Sequence, residues 1–246
     1  MSAFPYELFE EALPRLGLVV LQVDETIEQD FRRLFPPEAA RIHVSRVPSG
    51  TELTPDTIAQ MKATLPAAAA LLPPAARFDA VGYACTSGTT LIGAARVAEL
   101  VSGAVQSRAV TDPLSAALAA CRALGLERVG IVSPYIAPVA GPIRQAFEAA
   151  GLSVPDTLSF GEEVEARVAR IAPASIAEAA RTLARRNRID GVFLSCTNLR
   201  TLDIIAPLEA ELGMPVLSSN QVLGWHMANL SGARIAVAGH GRLLAT

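Results

Sequence analysis

Residues 191–201, GVFLSCTNLRT, decide how this chain is read. The first four residues, Gly191 to Leu194, make a short apolar run with the character of a buried strand. Residues 195–198, SCTN, break that run with polar groups, and a helical pattern follows from Leu202. Cys196 is thereby placed at the carboxyl end of a strand, where a helix begins. Open α/β sheets bind their ligands there. Residues 79–91, DAVGYACTSGTTL, repeat the design: a small apolar strand runs into Cys85-Thr86, then Ser87 and Gly88, then a helix. Two strand–Cys-Thr–helix units imply one site with two thiols.

Working outward, the pattern alternates. Strands are expected at 16–22, 41–47, 80–84, 104–110, 128–132, 154–160, 191–194, 215–218 and 234–238. Helices are expected at 26–34, from 54 onward, at 67–77, 89–102, 113–124, 139–150, 174–186, 202–212 and 219–230. Thr54-Pro55 and Asp112-Pro113 are helix starts, a capping side chain followed by Pro at the first helical position. Strands alternating with helices predict parallel sheets built from βαβ units. The order is duplicated, so the fold class is α/β with two pseudo-symmetric lobes. Each lobe is a parallel sheet of about four strands flanked by helices, with the active site in the cleft between them. The lobes divide as 1–112 plus 220–246, carrying Cys85, and 113–219, carrying Cys196.

Composition narrows the function. The 246 residues are enough for a large core, and 5% aromatics make that core aliphatic. A formal charge of −3 gives no electrostatic case for nucleic acid or an anionic membrane surface. No apolar run approaches the ~20 residues that span a bilayer. The N-terminal MSAFPYELFEEALPRLG lacks a basic region followed by an apolar core, so the expected location is the cytoplasm. Three cysteines in such a chain read as free thiols. Neither CxxC nor HExxH occurs, so no metal site is expected. No organic cofactor is expected either.

Two thiols on opposite sides of a bound carbon have three uses. One removes an α-proton while the other returns one, which is racemisation. One thiolate adds to a double bond and later leaves, which permits cis–trans isomerisation. One alone protonates an enolate after loss of CO₂. A helix N-terminus favours the thiolate, so both Cys85 and Cys196 are expected to have lowered pKa values. All three reactions need donors for carboxylate or enolate oxygens. Thr86, Ser87, Thr197 and Asn198 beside the thiols supply them, as do Ser218, Ser219 and Asn220. Tyr135 lies at another strand end, its phenol suited to a substrate oxygen. Cys121, inside a helix, reads as a small core residue. His226 reads as structural, His240 as open, and Arg181, Arg185, Arg186 and Arg188 as a solvated face. A two-lobed solute-binding protein is the rival from outside catalysis.

YACTSGTTL with Cys85, SPYIAPV with Tyr135, and SCTNLRTLDIIAPLEAELGMPVLSSNQVLGWHM with Cys196 resemble the maleate cis–trans isomerase and arylmalonate decarboxylase group of the aspartate/glutamate racemase superfamily. The resemblance runs from Gly17 to about Arg242. It implies a cofactor-free cleft between two lobes, a small carboxylate substrate, and a homodimer or larger homo-oligomer. It also implies that Cys85 is the nucleophilic thiol, Cys196 the proton-donating thiol, and Tyr135 a contact to a substrate carboxylate. Arylmalonate decarboxylases resemble this chain but keep only the second Cys, so Cys85 argues against decarboxylation by Cys196 alone. In maleate isomerases an Asn follows the first strand; here LQVDETIE puts Asp24 in its place. An Asp repels a carboxylate and attracts an ammonium, so the expected substrate is not maleate itself but an acid with a cationic or neutral polar group there, such as an amino-acid derivative. The alternative is that Asp24 only caps the helix after Thr26. LQVDETIE also resembles the member associated with ectoine utilisation.

Overall fold

The computed structural model describes residues 3–9, 12–52 and 54–246. The chain alternates strand and helix almost throughout. The first half runs β1 (Arg15–Leu21), α1 (Ile27–Leu34), β2 (Arg41–Val47), α2 (Pro55–Ala69), β3 (Ala80–Ala84), α3 (Thr86–Ile92), α4 (Ala94–Ser102), β4 (Val110–Thr111) and α5 (Pro113–Ala123). The second half runs β5 (Val129–Ser133), α6 (Ala137–Ala149), β6 (Thr157–Ser159), α7 (Glu165–Val168), α8 (Pro173–Arg186), β7 (Gly191–Leu194), α9 (Leu202–Leu212), β8 (Val216–Ser218) and α10 (Ser219–Ser231). A short 3₁₀ turn, Arg242–Ala245, follows.

The strands form two four-stranded parallel sheets, ordered β2-β1-β3-β4 and β6-β5-β7-β8. The two orders are the same pattern. β3, β5, β7 and β8 are buried along their whole length, and β1 in all but Arg15. Helices on both faces explain why these strands are unbroken apolar runs rather than alternating ones. The edge strand β2 is mostly accessible. α10 returns to pack on β1, β3 and β4, and against α5.

In each sheet the strand order reverses between the two central strands, β1 and β3 in one, β5 and β7 in the other. That is the topological switch point, where ligands bind outside the carboxyl ends. Asp24 follows β1, Cys85 follows β3, Tyr135 follows β5 and Cys196 follows β7. The lobes therefore present equivalent pairs, Asp24 with Cys85 and Tyr135 with Cys196.

Several expectations are corrected. α2 continues through Pro66 to Ala69, so no separate helix spans 67–77. The helix expected over 89–102 is two, broken at Gly93, whose φ of 93° suits glycine and no β-carbon-bearing residue. The strand expected at 104–110 is regular only at Val110 and Thr111, preceded by a single parallel bridge from Ser107 to Phe78. Residues 234–238 form no strand, the Ala236 N–H donating to the Leu34 carbonyl at the end of α1. α7 is a four-residue turn of helix with no counterpart in the expected pattern. No helix among the described residues is long and apolar enough to cross a membrane.

Candidate active site

Cys85 is the N-cap of α3. Its Sγ accepts the Gly88 N–H at 3.2 Å and lies 3.6 Å from the Ser87 hydroxyl. The Tyr83 hydroxyl stands beside it, because Tyr83 and Cys85 share one face of an extended segment with a period of two. Glycine is required at position 88: a β-carbon there would meet the Tyr83 hydroxyl at 2.6 Å and the Cys85 Sγ at 2.8 Å.

Cys196 does not begin a helix. It lies in the loop between β7 and α9, which starts only at Leu202. Among the described residues it is the single non-glycine with positive φ, at 146°. That backbone is strained for any residue bearing a β-carbon. Its Sγ accepts the Asn198 N–H at 3.4 Å and lies against the Tyr135 hydroxyl. Hydrogen bonds to other parts of the chain hold the strained loop. The Cys196 N–H donates to Ser219 Oγ at 3.0 Å, and that hydroxyl is 2.8 Å from Thr86 Oγ1. The Thr197 hydroxyl donates to the Ala84 carbonyl at 3.3 Å. Asn220 donates to the Thr197 carbonyl and to Asp30, each at 2.8 Å. Ser219 thus ties the two Cys-Thr segments together, one from each sheet.

The third wall is acidic. Asp24 Oδ1 accepts the N–H groups of Thr26 and Ile27 at 2.8 and 2.9 Å, so it does cap the turn into α1. Its Oδ2 is buried and has no partner. Glu165, at the start of α7, is 2% exposed, and its Oε2 accepts the Asn198 amide at 2.8 Å. Its backbone N–H donates to the Thr51 carbonyl, and Val164 bridges Glu52. This clasp between the two halves draws Glu165 inward. Outside it lies a cavity of about 590 Å³ lined by Asp24, Glu165, Val164, Thr51 and Arg46. A second cavity, of about 420 Å³, opens against Tyr135.

Burial governs the electrostatics. It pushes the Cys85 thiol up to about 11, against the pull of the Ser87 and Gly88 contacts, and pushes Cys196 well above the ordinary thiol range. Glu165 adds to both rises through its charge. The expected lowering of the thiols is thus overturned: desolvation outweighs one short helix terminus. Tyr83 and Tyr135 also rise, by burial first. Glu165 itself is raised to about 7 by burial, and Asp24 is raised for the same reason. Burial thus favours the neutral forms of both thiols, both phenols and both carboxyls of the site, Asp24 and Glu165.

Asp24, Thr86, Ser87, Tyr135, Thr197 and Asn198 are all buried around the thiols. Asn198 is spent within the protein: Oδ1 accepts the Glu25 N–H at 2.9 Å, and Nδ2 donates to Glu165. His226 bonds Thr111 at 2.7 Å, while the His240 carbonyl accepts Gln221 Nε2 at 2.6 Å. Arg181 and Arg185 pair with Glu178 and Glu211 on the surface. Tyr83 and Glu165 were missed. The period of two to Cys85 could have found Tyr83; Glu165 had no signal. Among the described residues no cluster of three or more His, Cys, Asp or Glu is placed to hold a metal ion.

Comparison with known proteins places this arrangement. The arylmalonate decarboxylase family model matches residues 93–244. The maleate isomerase of Nocardia farcinica is 27% identical over 94% of this chain and 95% of its own. The arylmalonate decarboxylase of Bordetella bronchiseptica is 33% identical over 54% of this chain and 56% of its own. A solved structure of the Nocardia farcinica maleate cis–trans isomerase, a Cys-to-Ser mutant with a covalently bound succinylcysteine intermediate, superposes with a TM-score of 0.85. It is 26% identical, covering 95% of this chain and 98% of that one.

Proposed function

This chain belongs to the arylmalonate decarboxylase family, and on that premise we propose that it is a cofactor-independent isomerase or racemase of a small carboxylic acid that works with two opposed cysteines. The carrying observation is that Cys85 and Cys196 occupy equivalent strand ends of two like sheets and are tied to one seam by Thr86 and Ser219.

Two routes use this pair. In the first, the Cys85 thiolate adds to an unsaturated acid; the C–S bond forms as the π electrons move to the α-carbon and its carboxylate. Rotation about the resulting single bond and expulsion of the thiolate restore the double bond. Cys196 supplies and retrieves a proton at the α-carbon. In the second, one thiolate takes the α-proton of a chiral acid and the other thiol returns one to the opposite face. Thr86, Ser87, Thr197 and Tyr135 hold the carboxylate or enolate oxygens. Asn198 serves by holding Glu165. The succinylcysteine in the Nocardia farcinica relative supports the addition route.

The same reading takes 1–112 plus 220–246 as one lobe and 113–219 as the other, supported by the packing of α10 on β1 and β3. It takes the protein as a cytoplasmic homodimer or larger homo-oligomer. The likeness to the ectoine-utilisation member supports an amino-acid derivative as substrate. The family match supports a second reading, decarboxylation by Cys196 alone, in which Cys85 has no task.

The test is intact-mass and peptide analysis of Cys196→Ser after exposure to maleate and to four-carbon unsaturated amino acids. A one-to-one adduct on Cys85 is expected with the substrate class. No adduct, together with CO₂ release from malonates, would replace this reading by the decarboxylase.

A further inference from the structure

We propose that Asp24 and Glu165 form a socket for a cationic nitrogen, so that the two-thiol site takes an ammonium-bearing carboxylic acid and not a dicarboxylate. The inference rests on the function proposed above and specifies its substrate class.

Both carboxyls are nearly inaccessible, at 5% and 2% exposure, and each lies close enough to the thiols for its charge to reach Cys196. Asn198 positions the second: its amide holds one oxygen of Glu165, and Oε1 carries no hydrogen bond. Asp24 Oδ1 is consumed by the turn into α1, while Oδ2 is a buried acceptor with no donor. The Thr197 hydroxyl lies near it but also reaches the Ala84 carbonyl at 3.3 Å, and its single proton serves only one of the two acceptors. A buried acceptor left without a donor is a vacancy for one. An ammonium, with three donors and a positive charge, satisfies both free oxygens.

The cavity outside the pair carries the same sign. Its charged lining is Asp24, Glu25, Glu165 and Arg46. The Arg46 guanidinium is already engaged by the carbonyls of Leu21, Gln22 and Asp24 and by the Glu28 carboxylate. Glu25 pairs outward with Arg170. The lining sets three carboxyls against one guanidinium, and a cation, which favours their ionised forms, suits it better than a second carboxylate does. The socket also links binding to chemistry. The Glu165 charge holds both thiols up, so a cation seated there cancels that effect and eases thiolate formation.

The test is isothermal titration of the intact protein with three four-carbon acids: L-2-aminobutyrate, 4-aminobutyrate and succinate. Wild type is expected to bind at least one aminobutyrate tenfold or more tightly than succinate. Asp24→Asn and Glu165→Gln, each folded by circular dichroism, are expected to reduce that preference tenfold or more. Their combination is expected to bind succinate better than wild type does. Succinate binding as tightly as both aminobutyrates, no binding of any of the three, or a preference unmoved in both variants would overturn the socket. Cys85→Ala and Cys196→Ala report separately. If they turn over substrate like wild type while the cation preference stands, the two-thiol chemistry fails and the socket survives.

Discussion

Cys196 is held at a φ of 146°, and replacing it separates the strain from the chemistry. Cys196→Ala removes the thiol and keeps the β-carbon, so the strained backbone persists. Cys196→Gly removes both. A non-glycine residue in this region costs about 1–3 kcal/mol. Glycine returns about 0.4–1 kcal/mol through the entropy of the unfolded chain. Both variants lose the Asn198 N–H contact to Sγ alike. The difference leaves Cys196→Gly about 1 kcal/mol more stable than Cys196→Ala, within a range of ~0–2.6. Urea unfolding monitored by circular dichroism, with the two variants in parallel at one pH, measures it. The usual order at an unstrained site is the reverse. If Cys196→Ala proves the more stable by 0.5 kcal/mol or more (roughly the glycine entropy term), the loop is not strained and the fixing role given to Ser219, Thr197 and Asn220 is wrong.

Other outcomes follow from the same contacts. Ser219→Ala leaves the buried Cys196 N–H without its acceptor and should cost about 1–3 kcal/mol by urea unfolding, with activity falling as the two Cys-Thr segments loosen. Gly88→Ala sets a β-carbon against the Tyr83 hydroxyl and Cys85 Sγ; overpacking of about 1–3 kcal/mol and a displaced thiol should abolish turnover while circular dichroism stays native. Glu165 is raised from 4.5 to about 7, so the folded state binds its proton more tightly than the unfolded chain. Its contribution to stability is therefore present below pH 4.5 and is lost as pH rises through about 7. The loss is on the order of 3 kcal/mol, and Glu165→Gln should remove that part of the pH slope. Unfolding midpoints taken across this range for both proteins check the sign.

The central strands were legible because burial on both faces leaves unbroken apolar runs ended by polar groups. β2, β3 and β7 fall where the sequence puts them. The two Cys-Thr units were legible for the same reason, since each terminates such a run. What sequence could not carry was tertiary. Glu165 looks like one more acid in GEEVEAR, and only the pairing of Val164 with Glu52 turns it inward. The thiol pKa values rise rather than fall because desolvation, which leaves no mark in sequence, outweighs the helix start, which does. Residues 234–238 alternate like a strand but pair with none, the Ala236 N–H donating to the Leu34 carbonyl at the end of α1. The sequence puts Cys196 at a helix start because the seven-residue gap between β7 and α9, held by Ser219 and Asn220 from elsewhere, leaves no local mark.

The most direct test of the two-thiol claim is ¹H NMR in D₂O with wild type, Cys85→Ala and Cys196→Ala, offered maleate, aspartate, glutamate and diaminobutyrate derivatives. The account predicts isomerisation or α-proton exchange of an ammonium-bearing acid by wild type, and failure of the full reaction in each single variant. If either variant converts substrate at the wild-type rate, that thiol takes no part and the account is contradicted.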